Sequence, residues 1–172
     1  MFSKADIEKY FNAEKQESLL FLVIGIAAII TSVIFFFALK KDIYKGAAIP
    51  LLLIGLIQII VGYTVYRRSD ADRVRMVYAY DMSPGDIKNK EIPRMKKVNR
   101  SFVIYRWIQI VLATAGIVLL FVFKNDTDKS FWFGLGITLL LQSLVMLGCD
   151  YFAEKRALLY TGGLENFVTG NK

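Results

Sequence analysis

The chain has 172 residues, 55% of them hydrophobic, with 22 Lys and Arg against 15 Asp and Glu for a net charge of +7, and it contains no histidine and one cysteine, Cys149. That inventory excludes a disulfide framework, a thiol-redox pair and a Cys/His zinc site within one chain. The apolar residues come in long blocks rather than in a 3.6-residue rhythm, which excludes an ordinary soluble bundle whose helices each keep a polar face.

Ser3-Lys4-Ala5-Asp6 resembles a capping box. It opens a predicted amphipathic cytoplasmic helix over residues 1–18, with Ile7, Tyr10 and Phe11 as a short apolar stripe. Residues 19–39 carry no charge, and ~20 apolar residues suffice to cross the hydrocarbon core, so they form the first predicted span. Charges of both signs precede this segment and no small-x-small site follows it, so it is expected to remain as a helix rather than be cleaved as a signal peptide.

The second predicted span is 46–66, with Pro50 expected in its first turns. Residues 67–100 form a basic connection with ten basic and five acidic residues. Its first part is predicted to continue the helix over 69–82 until Ser83-Pro84-Gly85 breaks it. Pro93 is expected in the first turn of the helix that leads into the third span, 101–123. The fourth span is 130–149, and in the tail 150–172 Gly162-Gly163 should end the last helix, leaving 164–168 to fold back on the cytoplasmic face. Cys149, at the end of the fourth span, reads as a small packing residue.

Basic residues gather on cytoplasmic loops. The N-terminal stretch, the 67–100 connection, Arg106 and the tail, with Lys155, Arg156 and Lys172, hold 17 of the 22. This bias places both termini and the long connection in the cytoplasm of a multi-pass protein of the cytoplasmic, or inner, membrane. Tyr63, Tyr66, Tyr105, Trp107 and Tyr151 mark the cytoplasmic interface, and Tyr44, Phe131 and Trp132 the other.

The two hairpins look alike. Residues 40–45 and 124–129 both read K-x-D-x-x-K, and the offset of 84 residues also sets Ile24 on Ile108, Phe37 on Phe121 and Gln58 on Gln142. The fold class that follows is an all-α integral membrane protein: a single membrane domain, a four-transmembrane-helix bundle built from two repeated helical hairpins, with three helices extended into the cytoplasm. Their pseudo-twofold axis would run along the membrane normal.

Two constellations stand out. Gln58 and Gln142 lie deep in their spans, where amides need partners, and the repeat sets them opposite each other as a candidate intramembrane pair. Glu17, Arg67, Arg68, Arg106, Asp150 and Glu154 all fall at the cytoplasmic ends of spans and can meet in an interfacial charge ring. Within it, Arg106 is expected to pair with Glu17 and Asp150. Small residues (Gly25, Ala28 and Ser32; Gly55 and Gly62; Ala113 and Gly116) invite close helix approach.

No catalytic, phosphate-binding or metal-ligating motif appears, so the expectation is a protein that is not an enzyme, with no cofactor and no metal. The partners expected are membrane lipids, through anionic headgroups at the basic connection, a membrane or cytoplasmic protein, and further copies of this chain as a homo-oligomer. Nucleic acid is not expected, because topology already explains the charge. The leading reading is an interaction protein, in one version an immunity protein against a membrane-inserting toxin. The alternative is a homo-oligomeric ion channel or small-solute pathway lined by the two glutamines.

Overall fold

In the computed structural model the described residues are 2–170, so the expected basic role of Lys172 lies outside them. The described chain is helical almost throughout, in four long helices: α1 Lys4–Leu39, α2 Asp42–Met82, α3 Pro84–Phe123 and α4 Thr127–Thr169. All four are apolar enough to cross a membrane. With 36 to 43 residues each, at ~1.5 Å per residue they are ~54–65 Å long, about twice the ~30 Å of a hydrocarbon core. Every helix is therefore longer than a crossing needs, with an apolar half and a charge-bearing half. All four run on beyond their apolar stretches, where the sequence suggested three.

The helix ends explain themselves locally. Asp6 Oδ2 accepts from the Ser3 backbone N–H at 2.9 Å and from the Ser3 hydroxyl at 2.8 Å, which starts α1. α1 ends in a wide turn over Phe35–Leu39, and Lys40, with φ 54°, reverses the chain. α2 begins at Asp42, so Pro50 sits in its third turn, among the first turns as expected. Ser83, at φ −149° and ψ 62°, is the whole break before Pro84 opens α3. A second wide turn spans Ile87–Glu91, and the Ile92 N–H reaches back to the Ile87 carbonyl. Pro93 follows that turn, in the first turn of the regular helix Ile92–Phe123 that leads into the third span, as expected. A proline has no N–H to donate to the preceding turn, and the widened turn is where the ladder adjusts.

α4 overrides its glycines. It continues through Gly162 and Gly163 and stops at Gly170, which takes the left-handed φ of 68°. A pair of glycines weakens a helix by ~1 kcal/mol each relative to alanine. Here the same stretch buries Leu164 completely and lays the Phe2 ring against Gly163, where a side chain would stand. Burying one such side chain contributes ~1.5–3 kcal/mol, so packing wins and 164–168 finish the helix instead of folding back.

The helices pack in the order α1, α2, α4, α3, with α2 and α4 central and almost no contact between α1 and α3. The buried share of the apolar stretches follows that order: 33% and 28% for α2 and α4, 22% for α1 and 17% for α3. Close approach uses glycine. A Cβ on Gly25 would stand 2.8 Å from the Gly55 carbonyl oxygen, and one on Gly116 would stand 3.0 Å from that of Gly136. Gly46 lies on the Phe131 carbonyl and Gly134 on the Ile43 carbonyl, a reciprocal pair of contacts between α2 and α4.

The connections are unequal. Two residues, Lys40 and Lys41, join α1 to α2, whereas three residues, 124–126, join α3 to α4, which opens with a short 3-10 turn, Thr127–Lys129. Buried positions of α1 and α3 coincide at a spacing of 84: Ile7 with Glu91, Phe11 with Met95, Gly25 with Gln109 and Ser32 with Gly116. Those of α2 and α4 coincide one helical turn later, at 88: Gly46 with Gly134, Pro50 with Thr138, Ile54 with Gln142 and Met76 with Leu164. Some of their buried positions coincide at 84 too, among them Ile54 with Thr138, Gln58 with Gln142 and Met76 with Tyr160.

The charge-bearing halves close around their own hydrophobic core, which includes Ile7, Phe11, Met76, Ile87, Met95 and Leu164 from all four helices. The Tyr10 and Tyr160 rings stack in it at 4.1 Å between centroids.

Candidate functional site

Where the charge-bearing halves meet the apolar halves, charged side chains run in a bar across α1, α2 and α3, from the buried Glu91 through the partly buried Glu14, Asp72 and Arg94 to the more exposed Arg68 and Arg75. On α1, Glu14 accepts from the Tyr10 hydroxyl at 3.4 Å, from Arg68 Nη2 at 3.5 Å and from the Ser69 hydroxyl at 3.2 Å. On α3, Glu91 is only 2% exposed and accepts from both Nε and Nη2 of Arg94, at 2.9 and 2.6 Å. The Tyr160 hydroxyl of α4 donates to Glu91 at 3.4 Å. Arg75 of α2 joins the two ends: its Nη2 is 2.8 Å from Asp72 and 3.9 Å from Glu91. The stacked tyrosines thus stand between two buried carboxylates, each held by arginine.

The wide turn before Glu91 positions it. Ile87, Glu91 and Met95 fall on one buried stripe of α3, and the extra residue in the turn rotates the carboxylate inward onto Tyr160. Burial pushes the Glu14 carboxyl above its ordinary range, against the opposing pull of Arg68 and Arg94. Burial likewise holds the Tyr10 and Tyr160 phenols protonated far above their usual range. Each residue of the bar makes an ion pair or hydrogen bond, while Arg68 Nε and Arg94 Nη1 are buried without a hydrogen-bond partner. Through these contacts the bar joins the helices.

The residues singled out from sequence sit around this bar in pairs rather than in one ring. Arg106 Nη2 is 2.7 Å from Glu154, not from Glu17 or Asp150. Glu17 pairs with Arg156. Asp150 accepts from the buried Gln109 amide at 2.5 Å. Arg68 belongs to the buried bar, within 3.5 Å of Glu14 and 4.0 Å of Asp72. Arg67 is exposed and makes no ion pair among the described residues. The reason lies in helix phase: Arg106 and Glu154 face each other across the α3–α4 hairpin, whereas α1 is not a neighbour of α3. Gln58 and Gln142 do meet. Gln58 Nε2 donates to Gln142 Oε1 at 3.4 Å, with both side chains buried between α2 and α4.

Glu14, Glu91, Arg94, Tyr160 and Gln109 were not singled out in advance. A signal was present for two of them. Glu14 continues the stripe Ile7, Phe11 at helical spacing, and Glu91 interrupts the stripe Ile87, Met95. A carboxylate in phase with a buried stripe has to be paired.

No family model matches the chain, and no curated protein or solved structure matches it.

Proposed function

We propose that this is a non-enzymatic interaction protein of the cytoplasmic membrane. Both termini and the 67–100 connection face the cytoplasm, and the open side of the apolar half binds another membrane protein. The observation that carries the reading is the edge helix α3. Only 17% of its apolar stretch is buried, and Trp107, Ile110, Val111, Thr114, Ala115 and Val118 line an uncharged groove of about 550 Å³ along it. Thr114 and Ala115 at its centre allow a second helix to come close, which is how helices associate where no hydrophobic force operates between them.

The distribution of basic residues supports the orientation. Arg67 and Arg100 are exposed near the span ends and suit anionic headgroups. We read the two hairpins as a repeat, in register 84 for the first helix of each and 88 for the second, about an axis between α2 and α4.

The short outer connections leave little to recognise outside the bilayer, which favours a partner met within it. An immunity protein that packs against a membrane-inserting toxin is the specific form of this reading. The homo-oligomeric channel is the weaker alternative, since Gln58 and Gln142 bond each other inside one protomer.

Co-purification from native membranes in mild detergent tests the proposal. One stoichiometric membrane partner is expected with the wild type and with Ile30→Trp on α1, and should be lost with Ala115→Trp in the α3 groove. Recovery of the chain alone would refute it, and ion flux from purified protein in liposomes would replace it with the channel. For the immunity form, co-expression should rescue cells from the toxin, and Ala115→Trp should not.

A further inference from the structure

Where α3 and α4 leave their apolar stretches, two polar contacts join them about one turn apart. Arg106 of α3 pairs with Glu154 of α4, and Gln109 of α3 donates from Nε2 to Asp150 Oδ2 of α4 at 2.5 Å. The second contact is incomplete. Gln109 is 2% exposed, and its Oε1 is buried with no hydrogen-bond partner. A buried acceptor without a donor is rare and costly. Turning the amide over is no remedy, because Oε1 would then face a carboxylate, which only accepts, and Nε2 would become the orphan.

Asp150 has no cation of its own: among the described residues it makes no ion pair. Arg106 of α3 is held by Glu154, and Arg156 of α4 by Glu17 of α1. From α2, Arg68 is engaged by Glu14 and Asp72, and Arg67 is exposed. The adjacent Cys149 thiol is uncharged at and below neutral pH. The nearest charge on the same helix is the like charge of Glu154, one turn along α4. Asp150 lies just past the uncharged run 130–149. Burial pushes its carboxyl above the ordinary range, the Gln109 N–H opposes that rise, and Glu154 adds to it.

We propose that Asp150 and Gln109 form a proton-binding site between α3 and α4. The proton sits on Asp150 Oδ1, which donates to Gln109 Oε1, while Oδ2 goes on accepting from Nε2. Carboxyl and amide then close as a reciprocal pair, and the orphan acceptor is satisfied. Only the proton is gained on closing and lost on opening. A raised folded pKa makes the contribution to stability complete below the ordinary 3.8. That contribution is lost as the pH rises through the raised value. The fastening of the edge helix α3 to α4 thereby depends on pH. The site goes beyond the interaction reading and needs no partner in the α3 groove.

Infrared spectroscopy of the full chain in nanodiscs, with and without carbon-13 in the aspartate carboxyls, tests the site. At pH 5.5 an ordinary aspartate is ~98% ionised. A protonated-carboxyl band that shifts with the label is expected there. Glu14 and Glu91 carry no label, so their bands stay in place. The labelled band should be absent from Asp150→Asn and move toward the frequency of a free acid in Gln109→Leu. Asparagine offers a donor and an acceptor together, as the protonated acid does. The melting midpoint of Asp150→Asn should therefore exceed that of the wild type by an amount that grows from pH 4 to pH 8. The growth should be roughly 3–5 °C for each tenfold gain in proton affinity over an ordinary aspartate. A labelled band that emerges only near pH 4, with the ordinary aspartates, would overturn the proposal. A water on Oε1 in place of the proton would give that result. A band that survives in Asp150→Asn, a band indifferent to Gln109→Leu, or a midpoint difference equal at every pH would overturn it too. The labelled band is read on the wild type, so poor folding of Asp150→Asn leaves the test standing, with Gln109→Leu to assign the band.

Discussion

Removing the Glu91 carboxylate tests whether the buried bar holds the bundle together. The side chain of Glu91 is 3% exposed and takes two parallel hydrogen bonds from Arg94, whose own side chain is 24% exposed. Breaking a buried ion pair by deleting one partner costs about 3–5 kcal/mol, mostly because the survivor is left charged and unpaired. Glu91→Leu strands Arg94, which can still reach some water, so about 3 kcal/mol is expected. Arg94→Met strands the better-buried Glu91 and should cost at least as much. The double variant removes both charges, and such replacements are often neutral or stabilising, so it should recover at least ~2 kcal/mol of the summed losses. For a chain of this size ~3 kcal/mol corresponds to ~6–12 °C in the midpoint. Circular-dichroism melts of the three variants in one detergent would measure it. Strictly additive losses would mean that the pair does not act as a unit and would refute the argument.

Gly46→Ala and Gly134→Ala each drive a methyl group into a backbone carbonyl of the facing helix. Each should destabilise by at least ~1–3 kcal/mol in the same melts, whereas Gly148→Ala, with open space around it, should be neutral or slightly stabilising. Glu14 has its pKa raised by burial, so the penalty on its charged form is absent below the ordinary carboxylate pKa of 4.5 and develops as pH rises toward the raised folded value. Glu14→Gln should therefore raise the melting midpoint relative to wild type more at pH 7 than at pH 4, and an equal difference at both would contradict the shift. Arg106→Ala should cost ~1 kcal/mol or less, because the Arg106 side chain is 46% exposed. A double-mutant cycle should couple it to Glu154 and not to Asp150.

The composition of the chain carried the element type and number, because an uncharged run of twenty residues has few physical outcomes. Caps and breaks were legible where they depend on neighbouring residues, as at Ser3 and Ser83. They were misread where tertiary contact decides, as at Gly162-Gly163, whose packing against Phe2 and Leu164 has no local signature. The site divides in the same way. Gln58 and Gln142 were findable because burial of an amide in lipid demands a partner. The partners of Arg106 and Glu17 were not, because they depend on helix order, and a basic residue at a span end looks the same beside any neighbour.

The two halves of each helix are held by different forces, and that difference gives the buried bar its place. In a membrane the apolar halves would gain nothing from burying leucine against leucine. There they rely on close backbone approach at Gly25, Gly46, Gly116 and Gly134 and on the Gln58–Gln142 bond. α1 and α3 share almost no contact, so in the apolar half their separation is set only through α2 and α4. In the charge-bearing half the hydrophobic effect does operate, and side chains of both edges enter one core, where the Tyr10 hydroxyl reaches Met95 Sδ at 3.8 Å. The bar sits at the junction and ties Glu14 of one edge to Glu91 of the other through Arg75, Asp72 and the stacked tyrosines. The charge-bearing halves thereby join the two edge helices directly, whereas the apolar halves join them only through α2 and α4.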